Sequence, residues 1–192
     1  MDDYKVEAFD LYDRIYLENL QDRNIILNEE IDSGLYEKVV MQIKRFNKED
    51  EGQEISDRTP IKIFINSYGG IVYDGFAAVN AIVASKTPIY TYCDGYAMSM
   101  GLAIFAAGHK RYAYPFSNFM YHEISGMAIG KTTEVEHQQT ENKRLQAMYD
   151  SLLLEKTNIP KAKLTRVKKN KLDWFFDSKE ALEMGLIHQI IS

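Results

Sequence analysis

Apolar positions along the chain change period several times, and each change marks an element. Asn24-Ile-Ile-Leu27, Ile61-Lys-Ile-Phe-Ile65 and Pro88-Ile-Tyr-Thr-Tyr-Cys93 are short runs rich in β-branched and aromatic residues, and they predict strands. Leu35, Val39, Val40, Ile43 and Phe46 recur at helical spacing across 31–46, as do Phe76, Val79, Ile82 and Val83 across 71–85. Strands alternating with helices long enough for crossovers predict an α/β fold with parallel pairing. Asn47 to Pro60 is charged and poor in apolar residues, and reads as the longest surface loop. Arg111–Pro115 and Asn118–His122 are shorter strand-like pieces. A long helix is predicted from Thr132 to about Lys156, and its halves differ. Glu134 to Arg144 is polar nearly all round, so that half projects or packs on another subunit; Leu145, Met148, Tyr149, Leu152 and Leu153 form an apolar face. Asn158-Ile-Pro160 opens a basic helix ending near Asn170. Asp177 with Glu180 is a capping box, Gly185 closes the helix it starts, and Leu186–Ile191 is a final strand. Residues 1–24 are acidic with irregularly spaced aromatics, and form either a short helix or a docking arm ahead of a single domain over 25–192.

The stretch 93–108 organises the chain. Gly95 is expected to end the strand that enters it, and a small, apolar run from Ser99 to Ala107 predicts a buried helix. A hydroxyl at the first turn of such a helix meets free N–H groups and the positive end of the helix dipole, which suits a nucleophile; the alternative is a plain helix cap. Gly69-Gly70 follows a strand end, as Ser99 does. In parallel sheets ligands gather at the carboxyl ends of strands, so these residues are expected to share a crevice. His122 ends a strand-like run and is the histidine best placed as a base, or else is a hydrogen-bonded structural residue. Asp173 precedes Trp174-Phe-Phe, which would partly bury it; a buried carboxylate needs a partner such as a histidine N–H, and the alternative is a turn residue.

Charge and composition narrow the function. Of 192 residues, 23 are basic and 28 acidic, a net −5, and no basic stripe stands out, which argues against nucleic acid as a partner. The single cysteine, Cys93, cannot form an internal disulfide and reads as a core residue. Four histidines and one cysteine show no metal-ligand spacing, so neither metal nor cofactor is expected. The first residues lack a signal-peptide core and no apolar run reaches membrane-spanning length, which makes a cytoplasmic location with no membrane partner the expectation.

Four segments together resemble the ClpP family of self-compartmentalised serine peptidases. They are Ile65-Asn-Ser-Tyr-Gly-Gly70, Gly95-Tyr-Ala-Met-Ser99-Met-Gly101, Phe119-Met-Tyr-His122, and Asp173-Trp-Phe-Phe with Glu180-Ala and Gly185-Leu, and the similarity runs from about Ile25 to Ile191. The resemblance implies a ClpP/crotonase-like α/β fold of repeated β-β-α type units with a projecting handle helix. It implies Ser99 as nucleophile, His122 as base and Asp173 as orienting acid, with the N–H groups of Gly70 and Met100 as oxyanion hole. It further implies that Gly69, Ile71, Ser125 and Met127 hold an extended polypeptide substrate, and that two heptameric rings of this chain stack through the handle.

Departures from the family pattern are Tyr68 for the usual Pro, Glu123-Ile124 after the histidine, and Leu172 for an Arg before the acid. Family members work with an AAA+ unfoldase whose loops enter an apolar pocket. Lys62, Ser85 and Asp94 stand at matching positions, and a polar pocket receives an apolar loop poorly. Two other readings stay open: a catalytically silent assembly or partner-ring subunit, and an acyl-CoA enzyme on the related crotonase fold, in which the Ser, His and Asp would have no role.

Overall fold

The computed structural model describes residues 11–126 and 129–191. Strands β1 (Asn24–Leu27), β2 (Ile61–Ser67), β3 (Ile89–Met98), β4 (Lys110–Ala113) and β7 (Gln189–Ile190) form a parallel sheet in that order. Strand β5 (Asn118–Tyr121) continues parallel to the far end of β3, and β6 (Trp174–Asp177) pairs antiparallel with β5. This is the expected mixed α/β architecture with parallel pairing. Alternation along the strands separates two faces. Ile25 and Leu27, Ile61, Ile63 and Ile65, Ile89 and Cys93 are buried, and they join α3 (Val72–Ala84) and α4 (Met100–Ala107) in one core. The other face carries a ladder in which Phe64 stacks on Tyr92 and Tyr92 on Tyr112, each pair 4.9 Å between ring centres.

Several boundaries differ from expectation. Gly95 does not end β3; the strand runs on to Met98. What the missing side chain allows is close approach, since a Cβ there would lie 2.6 Å from Asn66 Oδ1. At this point β3 exchanges β4 for β5 as its neighbour, so the glycine marks a change of partner. The helix expected over 31–46 begins later: Ile31 bridges Gly70, and a π-helical turn, Tyr36–Val40, leads into α2 (Met41–Glu49). The following loop is accordingly shorter than Asn47–Pro60 and contains a short helical turn, Ile55–Asp57. Helix α1 (Leu11–Gln21) occupies the described part of the N-terminal segment and buries only Leu20. Residues 1–10 lie outside the described residues. The last strand shrinks to two residues because His188 turns its main chain and ring onto Arg111.

Helix α5 (Thr132–Lys156) is continuous, and most residues of its first half are exposed; of the expected apolar face Leu145, Tyr149 and Leu153 are buried, whereas Met148 is exposed and the polar Gln146 is buried instead. Helix α6 (Lys161–Lys169) buries Leu164 and Val167 under its basic surface. Helix α7 (Ser178–Glu183) starts at Asp177, whose carboxylate accepts from the N–H groups of Lys179 and Glu180, and ends at Gly185 with φ 65°.

Candidate active site

Sheet register assembles the candidate residues. Strand β3 ends at Met98, paired with Met120 of β5, and the Ser99 N–H donates to the Met120 carbonyl at 3.0 Å. His122 lies one residue beyond β5 and Asp173 one residue before β6. The last antiparallel pair is Tyr121 with Trp174, so His122 and Asp173 come face to face. His122 Nε2 is 2.8 Å from Ser99 Oγ, and His122 Nδ1 is 3.3 Å from Asp173 Oδ1. A proton on Nδ1, toward the carboxylate, leaves Nε2 as acceptor for the serine O–H. Asp173 is not partly buried, contrary to expectation: its side chain is 58% exposed. Antiparallel pairing turns Phe176 into the core and leaves Phe175 largely exposed, so the aromatic run does not cover the acid.

Ser99 occupies φ 51° and ψ −124°, a sharp turn between strand and helix in a region that side chains rarely adopt. The turn presents Oγ at the head of α4, all eight residues of which are buried. Leu102 and Ala103 N–H groups close on the Ser99 carbonyl, and Met100 and Gly101 are the first helical residues, whose N–H groups have no intrahelical acceptor. Gly69 packs directly on this turn: a Cβ there would lie 2.8 Å from Ser99 Cβ and 2.9 Å from Met100 N. The Gly69 N–H donates to Ser67 Oγ, its carbonyl accepts from Ile31, and the Ile71 N–H donates to the Ile31 carbonyl. Gly70, whose N–H makes none of these bonds, lines the same cleft as Ser99.

That cleft, of about 490 Å³, is lined by Gly69, Gly70, Ser99, His122 and Ser125, and by Tyr68 and Tyr96, whose rings lie tilted against each other with centres 4.2 Å apart. Ile71, unlike Gly69 and Ser125, is not among the residues that line the cleft. It is the N-cap of α3, its N–H is held by Ile31 and its carbonyl accepts from Gly75, so both main-chain groups are engaged. Met127 lies outside the described residues.

Polar groups away from the cleft are accounted for structurally. Burial pushes the Cys93 thiol up to about 12, which suits a core residue and not a nucleophile. His109 Nδ1 accepts from the Ile89 N–H, and His188 Nδ1 from the Arg111 N–H. Lys62 and Asp94 stand on the strands that carry the aromatic ladder, whereas Ser85 donates to the Thr87 carbonyl and accepts from Asn47. Among the described residues no cluster of metal-ligating side chains occurs, and no helix is long and apolar enough to cross a membrane. The pattern places Tyr149 on the apolar face of α5 and gives Gln146 no role; in the structure their polar ends reach the backbone of Ser99 and Ile124 respectively.

A parallel α/β sheet thus delivers a serine to the head of a buried helix, with a histidine in reach. Residues 5–192 match the Clp protease family. Over 187 residues the chain is 34% identical to ATP-dependent Clp protease proteolytic subunit 2 of Chlamydia muridarum, covering 96% of this chain and 86% of that one. It is 33% identical to proteolytic subunit 1 of Chlamydia felis and 34% to proteolytic subunit 2 of Chlamydia trachomatis, each over 96% of this chain. The chain belongs to the Clp protease family.

Proposed function

We propose that this chain is a serine endopeptidase subunit that hydrolyses unfolded polypeptides or short peptides through Ser99, His122 and Asp173. The observation that carries the reading is the 2.8 Å approach of His122 Nε2 to Ser99 Oγ. In the proposed reaction Ser99 Oγ attacks the peptide carbonyl carbon while its proton passes to Nε2. The N–H groups of Gly70 and Met100 receive the developing oxyanion. Nε2 then gives its proton to the departing amine, leaving an acyl-serine. Water attacks that ester with His122 again as base, and the carboxylic product leaves. Asp173 holds the Nδ1 tautomer and stabilises the imidazolium.

The exposed polar half of α5 supports assembly into stacked heptameric rings, with the clefts facing an inner chamber. Lys62 and Asp94 beside the aromatic ladder support the reading that a standard apolar unfoldase loop does not dock here. One feature favours the silent-subunit alternative: the exposed Asp173, which orients His122 across 3.3 Å. Hydrolysis of a fluorogenic peptide and of an unfolded polypeptide by the assembled protein, beside Ser99→Ala, tests the proposal. Turnover abolished by the substitution is expected; turnover unchanged in Ser99→Ala, or none in either protein, contradicts it.

A further inference from the structure

Helix α5 presents Gln146, Tyr149 and Asp150 on one side, at the three- and four-residue spacings that make helix positions neighbours. Their polar atoms converge on the backbone that carries the reacting groups. Tyr149 Oη donates to the Ser99 carbonyl at 2.9 Å. Gln146 Oε1 accepts the Ile124 N–H at 2.6 Å, two residues beyond His122. Gln146 is itself fixed, because Nε2 donates to Tyr121 Oη at 3.1 Å and to Asp150 Oδ1 at 2.8 Å. Tyr121 Oη donates to the same Asp150 oxygen at 2.5 Å, and Lys168 pairs with the other. Burial and the neighbouring Asp150 carboxylate push the Tyr121 hydroxyl well up, and burial does the same to Tyr149, so both remain proton donors.

We infer that Gln146 and Tyr149 are positioning residues of the reaction: from one face of α5 they hold the chain around His122 and the backbone of Ser99 at a set separation. Two features of the backbone call for such support. Ser99 adopts a strained conformation that persists only where its surroundings over-determine it. Its N–H is held by Met120, and Tyr149 adds an outside donor to a carbonyl otherwise bonded only within α4. Residues 122–126 lie past the end of β5 and have no ladder partner, and Gln146 supplies for Ile124 the acceptor that a strand would have given. Catalytic geometry tolerates little error, since a displacement of about 1 Å costs on the order of 10²-fold in rate.

The inference rests on Ser99 and His122 as nucleophile and base, and its test separates the two. Tyr149→Phe removes one oxygen, and Gln146→Met removes the polar end of the side chain at similar volume. In assembled protein below its melting midpoint, each is expected to slow modification of Ser99 by a fluorophosphonate about tenfold. For a short peptide kcat falls with KM within about twofold, a split that general loosening of the cleft does not produce. Gln146→Met is further expected to speed hydrogen exchange at the Ile124 amide about tenfold, with Tyr149→Phe leaving it unchanged. Modification rates within twofold of wild type in both variants overturn the inference, as does unchanged Ile124 exchange in Gln146→Met. If wild-type Ser99 does not react, the peptidase reading falls, and Ile124 exchange still decides whether the clamp exists. Should Gln146→Met fail to fold, the rate in Tyr149→Phe decides alone.

Discussion

His122 stands directly across the antiparallel ladder from Asp173, one step past the Tyr121–Trp174 pair, with Nδ1 and Oδ1 3.3 Å apart. The carboxylate is largely in water, where its field is weak and its place is open to solvent. Asp173→Asn is therefore expected to lower the acylation rate by only about 10²-fold, against about 10⁴-fold or more for His122→Ala. Single-turnover acylation by an activated ester measures both; equal losses would contradict the role assigned to Asp173.

Gly70 has φ 148°, and a Cβ there would collide with the Ile31 main chain that ties the Gly69–Ile71 turn in place. Gly70→Ala must displace that turn, and with it the N–H assigned to the oxyanion. The expected result is a loss of about 10²-fold or more in kcat. Gly34, where an added Cβ meets only Asp32 Oδ1 at 3.1 Å, serves as the control, and Gly34→Ala is expected to retain near-normal turnover.

Asp50 is 1% exposed and bound by Arg23 through both oxygens, at 2.6 and 2.7 Å, and by Thr87 Oγ1 at 2.7 Å. The Arg23 guanidinium holds the carboxyl below its ordinary range; burial opposes this and Thr87 adds to it. A folded-state value below the unfolded one, about 3.9, gives a contribution fully present above about pH 4 and lost as pH falls through the folded value. Asp50→Asn is expected to cost about 2–3 kcal/mol at pH 7, because it takes the bidentate carboxylate from a largely buried Arg23 and leaves it only the Thr59 carbonyl and Glu49 at 3.8 Å. The gap from wild type should narrow in urea unfolding near pH 3; a gap that is constant with pH contradicts the linkage.

The first half of α5 contributes little to the core of its own subunit, as Thr140 and its neighbours are exposed. Thr140→Pro breaks the helix there, since proline removes a hydrogen bond and clashes with the preceding turn. On the proposed stacking of rings through this helix, a single ring and its fold should survive while the stacking is lost. Sedimentation would show a species of about half the wild-type mass; an unchanged mass contradicts the role given to this helix.

Much of this arrangement was legible in local chemistry. The strand cores, the paired glycines, the polar-then-apolar helix from Thr132 and the Asp177 capping box each have a short-range cause. Ser99 and His122 could be singled out because small residues and a strand end flank them. What could not be read depends on register. Gly95 carries the same local signal whether it ends a strand or lets Asn66 approach one. Asp173 keeps its aromatic neighbours, yet which of them turns inward is set by pairing with β5. Gln146 and Tyr149 sit among residues that read as an ordinary buried helix face, and only the packing of α5 against Ser99 and Ile124 gives their polar atoms a purpose.

The central claim is that Ser99 is an activated nucleophile. Intact-mass analysis after treating the native assembled protein with a fluorophosphonate, beside Ser99→Ala, tests it most directly. A single phosphonyl adduct on the wild-type chain, absent from the variant, is the predicted result. An assembled wild-type protein that stays unmodified, or an adduct that persists in Ser99→Ala, contradicts the claim and shifts the reading to a silent subunit.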